Sequence, residues 1–137
     1  MKVKTADLTG TALDWAVAKA EYTDRRVELN PHGGVRVENG PGSGDSYGIG
    51  WFDFRASTDW AQGGPIIERE HIGFEWMVSE WMAGQNYGGH PYKDRPDLRP
   101  IGTRFMSYGP TPLIAAMRCY VASKLGDEVD VPDELMT

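Results

Sequence analysis

Between Leu113 and Leu125 the chain is apolar almost without interruption: Leu113, Ile114, Ala115, Ala116, Met117, Cys119, Tyr120, Val121, Ala122 and Leu125 are broken only by Arg118, Ser123 and Lys124. Thr111 can cap a first turn, Pro112 sits where a missing N–H costs nothing, and Gly126 stands where a left-handed residue ends a helix. The pattern predicts a helix over about 111–124 with no broad polar face. Such a helix has to be covered on more than one side, so it belongs in the middle of the core.

Elsewhere the periods are shorter. Leu13, Ala16, Val17 and Ala20 recur at helical spacing and predict an amphipathic helix over 9–20, capped by Thr9 or Thr11, that covers one side of a sheet, with Trp15 as packing. Alternation over 26–29 and 35–38 around the turn Asn30-Pro31-His32-Gly33-Gly34 predicts a hairpin. Short strands are expected at 51–54, 72–78 and 103–108, with 1–4 a short edge strand or a disordered start and 80–83 continuing the strand before it or returning as its partner. Ser57, Thr58 and Asp59 are three capping residues in a row. Behind them Gly63-Gly64-Pro65 is expected to break or bend the helix, Pro65 opening a second short one through Ile66, Ile67 and His71. Segments 39–50 and 84–102 read as flexible loops, and 127–137 as an acidic tail in which Val129 and Val131 pair on an edge.

The length of 137 residues suits a single domain over 1–137. A formal charge of −6 argues against gripping nucleic acid backbone, because that affinity comes from clustered Lys and Arg. Cys119 is the single cysteine, inside the core helix, so it reads as an inert buried thiol in a reducing compartment. No export signal and no apolar run long enough to span a membrane is present. Seventeen glycines, five tryptophans and six tyrosines, gathered in the middle of the chain, suit either a binding surface or core and turns.

Candidate chemistry is sparse. His32 lies in a turn without a second ligand, and no histidine or cysteine keeps a metal-site spacing. The run Asn39-Gly-Pro-Gly-Ser-Gly-Asp-Ser-Tyr-Gly-Ile-Gly50 lacks the Gly-Lys-Ser/Thr ending of a phosphate loop. Asp53 and Asp59 flank a strand-to-helix junction and could hold a cation, but capping explains Asp59 and solvent explains Asp53. No cofactor, metal or catalytic residue is assigned.

Three blocks carry a resemblance: LTGTALDWAVAKAE at 8–21, STDWAQGGPIIERE at 57–70 and GPTPLIAAMRCYVASKLGDEV at 109–129. They resemble the NinX-type proteins of tailed phages and enterobacterial prophages, and more distantly a phage alpha-beta-alpha sandwich domain. The resemblance implies a phage origin, a location in the cytoplasm of the infected host, and a single-domain α/β (α+β) sandwich, mainly antiparallel, with a buried C-terminal helix. It carries no established activity and transfers no catalytic residue.

The first functional expectation is a non-enzymatic accessory protein that sequesters a small anionic, ring-containing host molecule, for instance a nucleotide-derived immune signal. Aromatic rings from Trp51, Trp60, Trp76, Trp81, Tyr87 and Tyr92 would stack on the ligand. Arg55, Arg69 and Arg104 would clamp it, Ser57, Thr58, Asp59 and Gln62 would offer polar groups, and Gly63, Gly64 and the helix start at Thr111 would let backbone amides approach. The alternative is that the same aromatic loops inhibit a host or phage protein, and a third reading is a small metal-dependent hydrolase. Neither nucleic acid nor membrane is an expected partner, and homo-oligomerisation is compatible with the chain. A pocket favours the first reading and a flat apolar patch the second.

Overall fold

In chain order the residues form β1 (Lys2–Lys4), α1 (Gly10–Glu21), β2 (Val27–Leu29), β3 (Val35–Glu38), β4 (Trp51–Phe54), α2 (Trp60–Arg69), β5 (Ile72–Trp76), β6 (Trp81–Gln85), β7 (Arg104–Gly109), α3 (Pro112–Leu125) and β8 (Glu128–Asp130). Short 3-10 turns occupy Thr5–Asp7 and Asp133–Met136. The structure is a computed structural model that describes residues 1–40, 50–87 and 103–136. Most of the two loops expected at 39–50 and 84–102 therefore lies outside the described residues, as do Tyr92 and Thr137.

The fold is α+β, and every described strand pair is antiparallel. Its strands are divided among three small sheets, β1–β8, β2–β3–β4 and β5–β6–β7, rather than joined in one. The division follows from the helices. α3 buries Leu113, Ala115, Ala116, Met117, Cys119, Tyr120 and Val121, and within it only the last two residues, Lys124 and Leu125, are exposed. α1 is wider in burial than its spacing suggested, with Ala12, Leu13, Asp14, Ala16, Val17 and Ala18 all inside. Each helix needs more than one cover. The β2–β3–β4 sheet packs on α1, α1 on α3, and α3 on the β5–β6–β7 sheet.

The ends of α3 are as its residues dictate. Ile114 N–H donates to Thr111 Oγ1 at 3.1 Å, and Gly126, at φ +90°, closes the far end by donating to the Ala122 carbonyl at 3.1 Å. Arg118 is spent on structure, its guanidinium donating to the carbonyls of Leu8 at 2.8 Å and Tyr108 at 2.7 Å. At α1 the cap differs: Thr9 holds the N-cap position but makes no side-chain cap bond.

Of the expected break or bend at Gly63-Gly64-Pro65, α2 overturns the break and the second helix after it. It runs as one helix with Pro65 inside it. A proline normally drives the residue before it out of helical geometry through a clash with that residue's Cβ, and Gly64 has none. Gly63 has a different task. A Cβ there would stand 2.6 Å from both the Ala56 carbonyl oxygen and Leu113 Cδ1, so its bare Cα is what seats α2 on α3.

The 80–83 segment returns as the partner of the strand before it, with Trp76 opposite Trp81, and β7 adds to the far side of β6 across an irregularity between Ala83 and Gln85. The acidic C-terminal segment is also held. β8 sets Asp130 and Glu128 opposite Lys2 and Lys4, and Val129 and Val131 are buried.

Candidate functional site

The β4–α2 junction brings together five of the residues nominated from sequence, and most of their polar groups serve one another or the backbone. Ala61 N–H donates to Asp59 Oδ1 at 2.9 Å, which makes Asp59 the N-cap. Gln62 clips the turn shut, its Oε1 accepting from Arg55 N–H at 2.6 Å and its Nε2 donating to the Asp53 carbonyl at 2.7 Å. The Thr58 hydroxyl donates to the Arg55 carbonyl at 3.5 Å. Ser57 is buried, and its N–H donates to Asp14 Oδ1 at 2.8 Å. Burial pushes the Asp14 carboxyl above the usual carboxylate range, partly offset by Ser57 and by the charge of Arg55.

Arg69 sits apart from this junction in a brace across the three helices. Its fork donates to both carboxylate oxygens of Glu21, at 2.6 and 2.7 Å, and its Nε to Glu70 at 3.0 Å. The Tyr120 hydroxyl donates to Glu21 at 2.6 Å, and Lys124 pairs with Glu70 at 3.2 Å. The Arg69 bonds hold the Glu21 carboxyl below its ordinary range.

Aromatic residues form an exposed row at one side of the molecule. Trp60, first residue of α2, lies 6.0 Å from Phe74 between ring centroids; Phe74 meets Trp81 at 6.0 Å, and Trp81 meets Trp76 at 5.5 Å. Trp81 packs on the core, whereas Trp60 and Trp76 are each about half exposed. The row runs out to the β5–β6 turn, where Met77 and Val78 face solvent. Val78 is 88% exposed and has φ +73°, a conformation that a β-branched residue rarely adopts. Across the sheet, β7 exposes Phe105, Met106 and Tyr108, with Phe105 at φ +56°. Of the eleven large hydrophobic side chains exposed among the described residues, seven stand on the β5–β6–β7 sheet or its turn and Trp60 stacks against it. Exposed carboxylates flank it at Asp59, Glu75 and Glu80.

The remaining nominated residues are scattered. Trp51 belongs to the other three-stranded sheet, where the guanidinium groups of Arg36 and Arg26 lie over its ring at 4.4 and 5.5 Å. Arg104 opens β7 opposite Gln85, Thr111 caps α3, and Gly64 faces open space. Tyr87 lines a cleft of about 520 Å³ beside His71 and Asn86, and Arg55 lines another of about 330 Å³ with Thr11 and Asp53. Asp53 accepts from Asn30 Nδ2 at 3.1 Å, and Asp59 caps α2. Phe74, Met77, Val78, Phe105, Met106 and Tyr108 were not among the residues nominated from sequence. The signal was there in Phe105-Met106, adjacent apolar residues that put an apolar side chain on each face of a strand.

A family model described as Bacteriophage P22, NinX matches residues 4–124, so the chain belongs to that family of phage proteins. No curated protein matches it. No helix among the described residues is long and apolar enough to cross a membrane.

Proposed function

We propose that this NinX-family chain is a non-enzymatic accessory protein that acts in the cytoplasm of the infected cell by occupying a partner protein through the aromatic side of the β5–β6–β7 sheet. The observation that carries the reading is the concentration there of exposed Trp60, Phe74, Trp76, Met77 and Val78. Contiguous exposed apolar surface of this kind marks interaction sites, and Trp and Tyr are the side chains that anchor them. The strained Val78 at the turn is a further cost to folding that contact with a partner would offset.

Charge narrows the partner. Asp59 and Glu80 rim the row and the chain carries −6, so the surface suits an apolar patch bordered by Lys and Arg. A second copy of the chain would bring the same carboxylates against these. The sequestration of an anionic, nucleotide-derived signal is less well supported, because the Arg69 fork is filled by Glu21 and Arg55 lines a cleft on another part of the surface.

The test is to place a photo-crosslinking amino acid at the exposed Ser79, in the turn beside the aromatic row, and activate it in infected and uninfected host cells. The expected result is a single basic-surfaced partner whose capture is suppressed by salt added before irradiation, lost in a Trp60→Ser/Trp76→Ser variant carrying the same crosslinker, and kept in a Trp51→Ser control. Capture that ignores these substitutions, or a small molecule freed by denaturing the purified protein and no protein partner, would reverse the assignment. A concentration-dependent dimer crosslinked through position 79 would replace the partner with a second copy.

A further inference from the structure

The geometry points to a separate small-molecule site, independent of the partner surface, in the cleft between the end of α2 and the paired ends of β5 and β6, with a nucleobase or nucleoside as its ligand. The cleft measures about 520 Å³, within the range of small-ligand sites. Ile67 and Ile72 supply apolar lining, Tyr87 an aromatic wall, and His71 and Asn86 the polar groups.

Two backbone facts single out this place. His71 follows the last turn of α2 at φ +54°, a left-handed helix-stop position where glycine is the least strained residue. Asn86 sits across from it at φ +62°, and its N–H donates to the His71 carbonyl at 2.7 Å. Glycine would serve the fold at either position, yet each of these two cleft-lining residues carries a side chain with donor and acceptor groups. The aromatic wall is fixed as well. The Tyr87 hydroxyl donates to Glu75, and a Cβ on Gly73 would stand 2.5 Å from the Tyr87 carbonyl oxygen, so strand and tyrosine are in direct contact.

The chemistry of the lining names the ligand class. A carboxamide offers the paired donor and acceptor that match the edge of a nucleobase, imidazole adds another of each, and a phenol ring stacks on a planar face. Glu68 lines the cleft as an exposed carboxylate, and Glu75 stands behind Tyr87. Those charges disfavour phosphate, so the ligand is an uncharged or cationic base or nucleoside rather than a nucleotide.

The experiment follows amide and side-chain resonances while adenosine, guanosine, cytidine and uridine, and then their 5′-monophosphates, are titrated into the intact protein. At least one nucleoside should shift Ile72, Gly73 and Tyr87 saturably, and its monophosphate should bind at least about tenfold more weakly. His71→Gly and Asn86→Gly should each fold with an unchanged or higher melting temperature and lose the binding, so that loss cannot be assigned to unfolding. Absence of any saturable shift, unchanged binding by both glycine variants, or a monophosphate that binds as tightly as its nucleoside would each overturn the assignment. Retained binding by the Trp60→Ser/Trp76→Ser variant is expected, and its loss would show that the cleft is not independent of the partner surface.

Discussion

Replacing Gly63 by alanine sets helix propensity against packing at one atom. In an unobstructed helix interior the change would stabilise the protein by about 1 kcal/mol. Here the added methyl would lie 2.6 Å from the Ala56 carbonyl oxygen and 2.6 Å from Leu113 Cδ1. Both are well inside the ~3.5–4.0 Å at which such atoms rest. Neither obstacle yields easily. Leu113 is buried, and Ala56 is followed by Ser57, whose N–H is committed to the buried Asp14 carboxyl. Overpacking typically costs about 1–3 kcal/mol, and a backbone obstacle argues for the upper part of that range. After the propensity gain, a net loss of about 1–2 kcal/mol is expected, or a melting temperature lower by roughly 3–8 °C in a domain of this size. Urea unfolding followed by circular dichroism measures it. Trp60 lies one turn before Gly63, so lifting α2 off α3 should also change the contact with Phe74 and hence the tryptophan emission. A Gly63→Ala protein more stable than the parent would refute the tight seat of α2 on α3.

Three further outcomes follow from the same contacts. Asp59→Ala should lower stability by about 1 kcal/mol in urea, as loss of a helix cap does, and an unchanged midpoint would take the cap role away. Arg69→Met should lose about 1–2 kcal/mol at neutral pH, the exposed part of the pair being discounted for solvent. Because Arg69 holds the Glu21 carboxyl below its ordinary 4.5, that stabilisation is present above this value and fades as the pH falls through the lower folded one. A midpoint scan from about pH 6 to pH 3 should therefore fall more steeply in the parent than in Arg69→Met, and parallel curves would exclude the linkage. Burial pushes the Cys119 thiol up to about 12, so a disulfide reagent near neutral pH should leave it untouched until urea is added; prompt labelling of the folded protein would contradict its burial.

Local chemistry was legible wherever a few neighbouring residues suffice. Thr111, Pro112 and Gly126 bound α3, Asp59 starts α2, the Asn30–Gly34 turn joins β2 to β3, and apolar residues all round α3 place it in the core. The break allowed for at Gly63-Gly64-Pro65, as the alternative to a bend, applied a rule that holds for a proline preceded by a Cβ, and Gly64 removes that condition. For the candidate site, residue type was visible and company was not. Arg69 reads in sequence as an available cation, yet Glu21, forty-eight positions away, fills its fork. Trp51 and Trp76 look alike in composition, but one is covered by two arginines and the other stands half exposed.

The sequence by itself determined the family, the α+β class, the helix ends and the inert setting of the cysteine, because caps, periodicity and apolar runs act within one or two turns of chain. Only the tertiary structure decided that the strands part into three sheets, that Gln62 is spent on the backbone of Arg55 and Asp53, and that Trp60 joins Phe74, Trp81 and Trp76 in a row with faces left open. Those outcomes depend on which side of each helix is already covered by a distant segment. That competition for apolar cover is settled by packing between elements far apart in the chain, and no local pattern of residues encodes its winner.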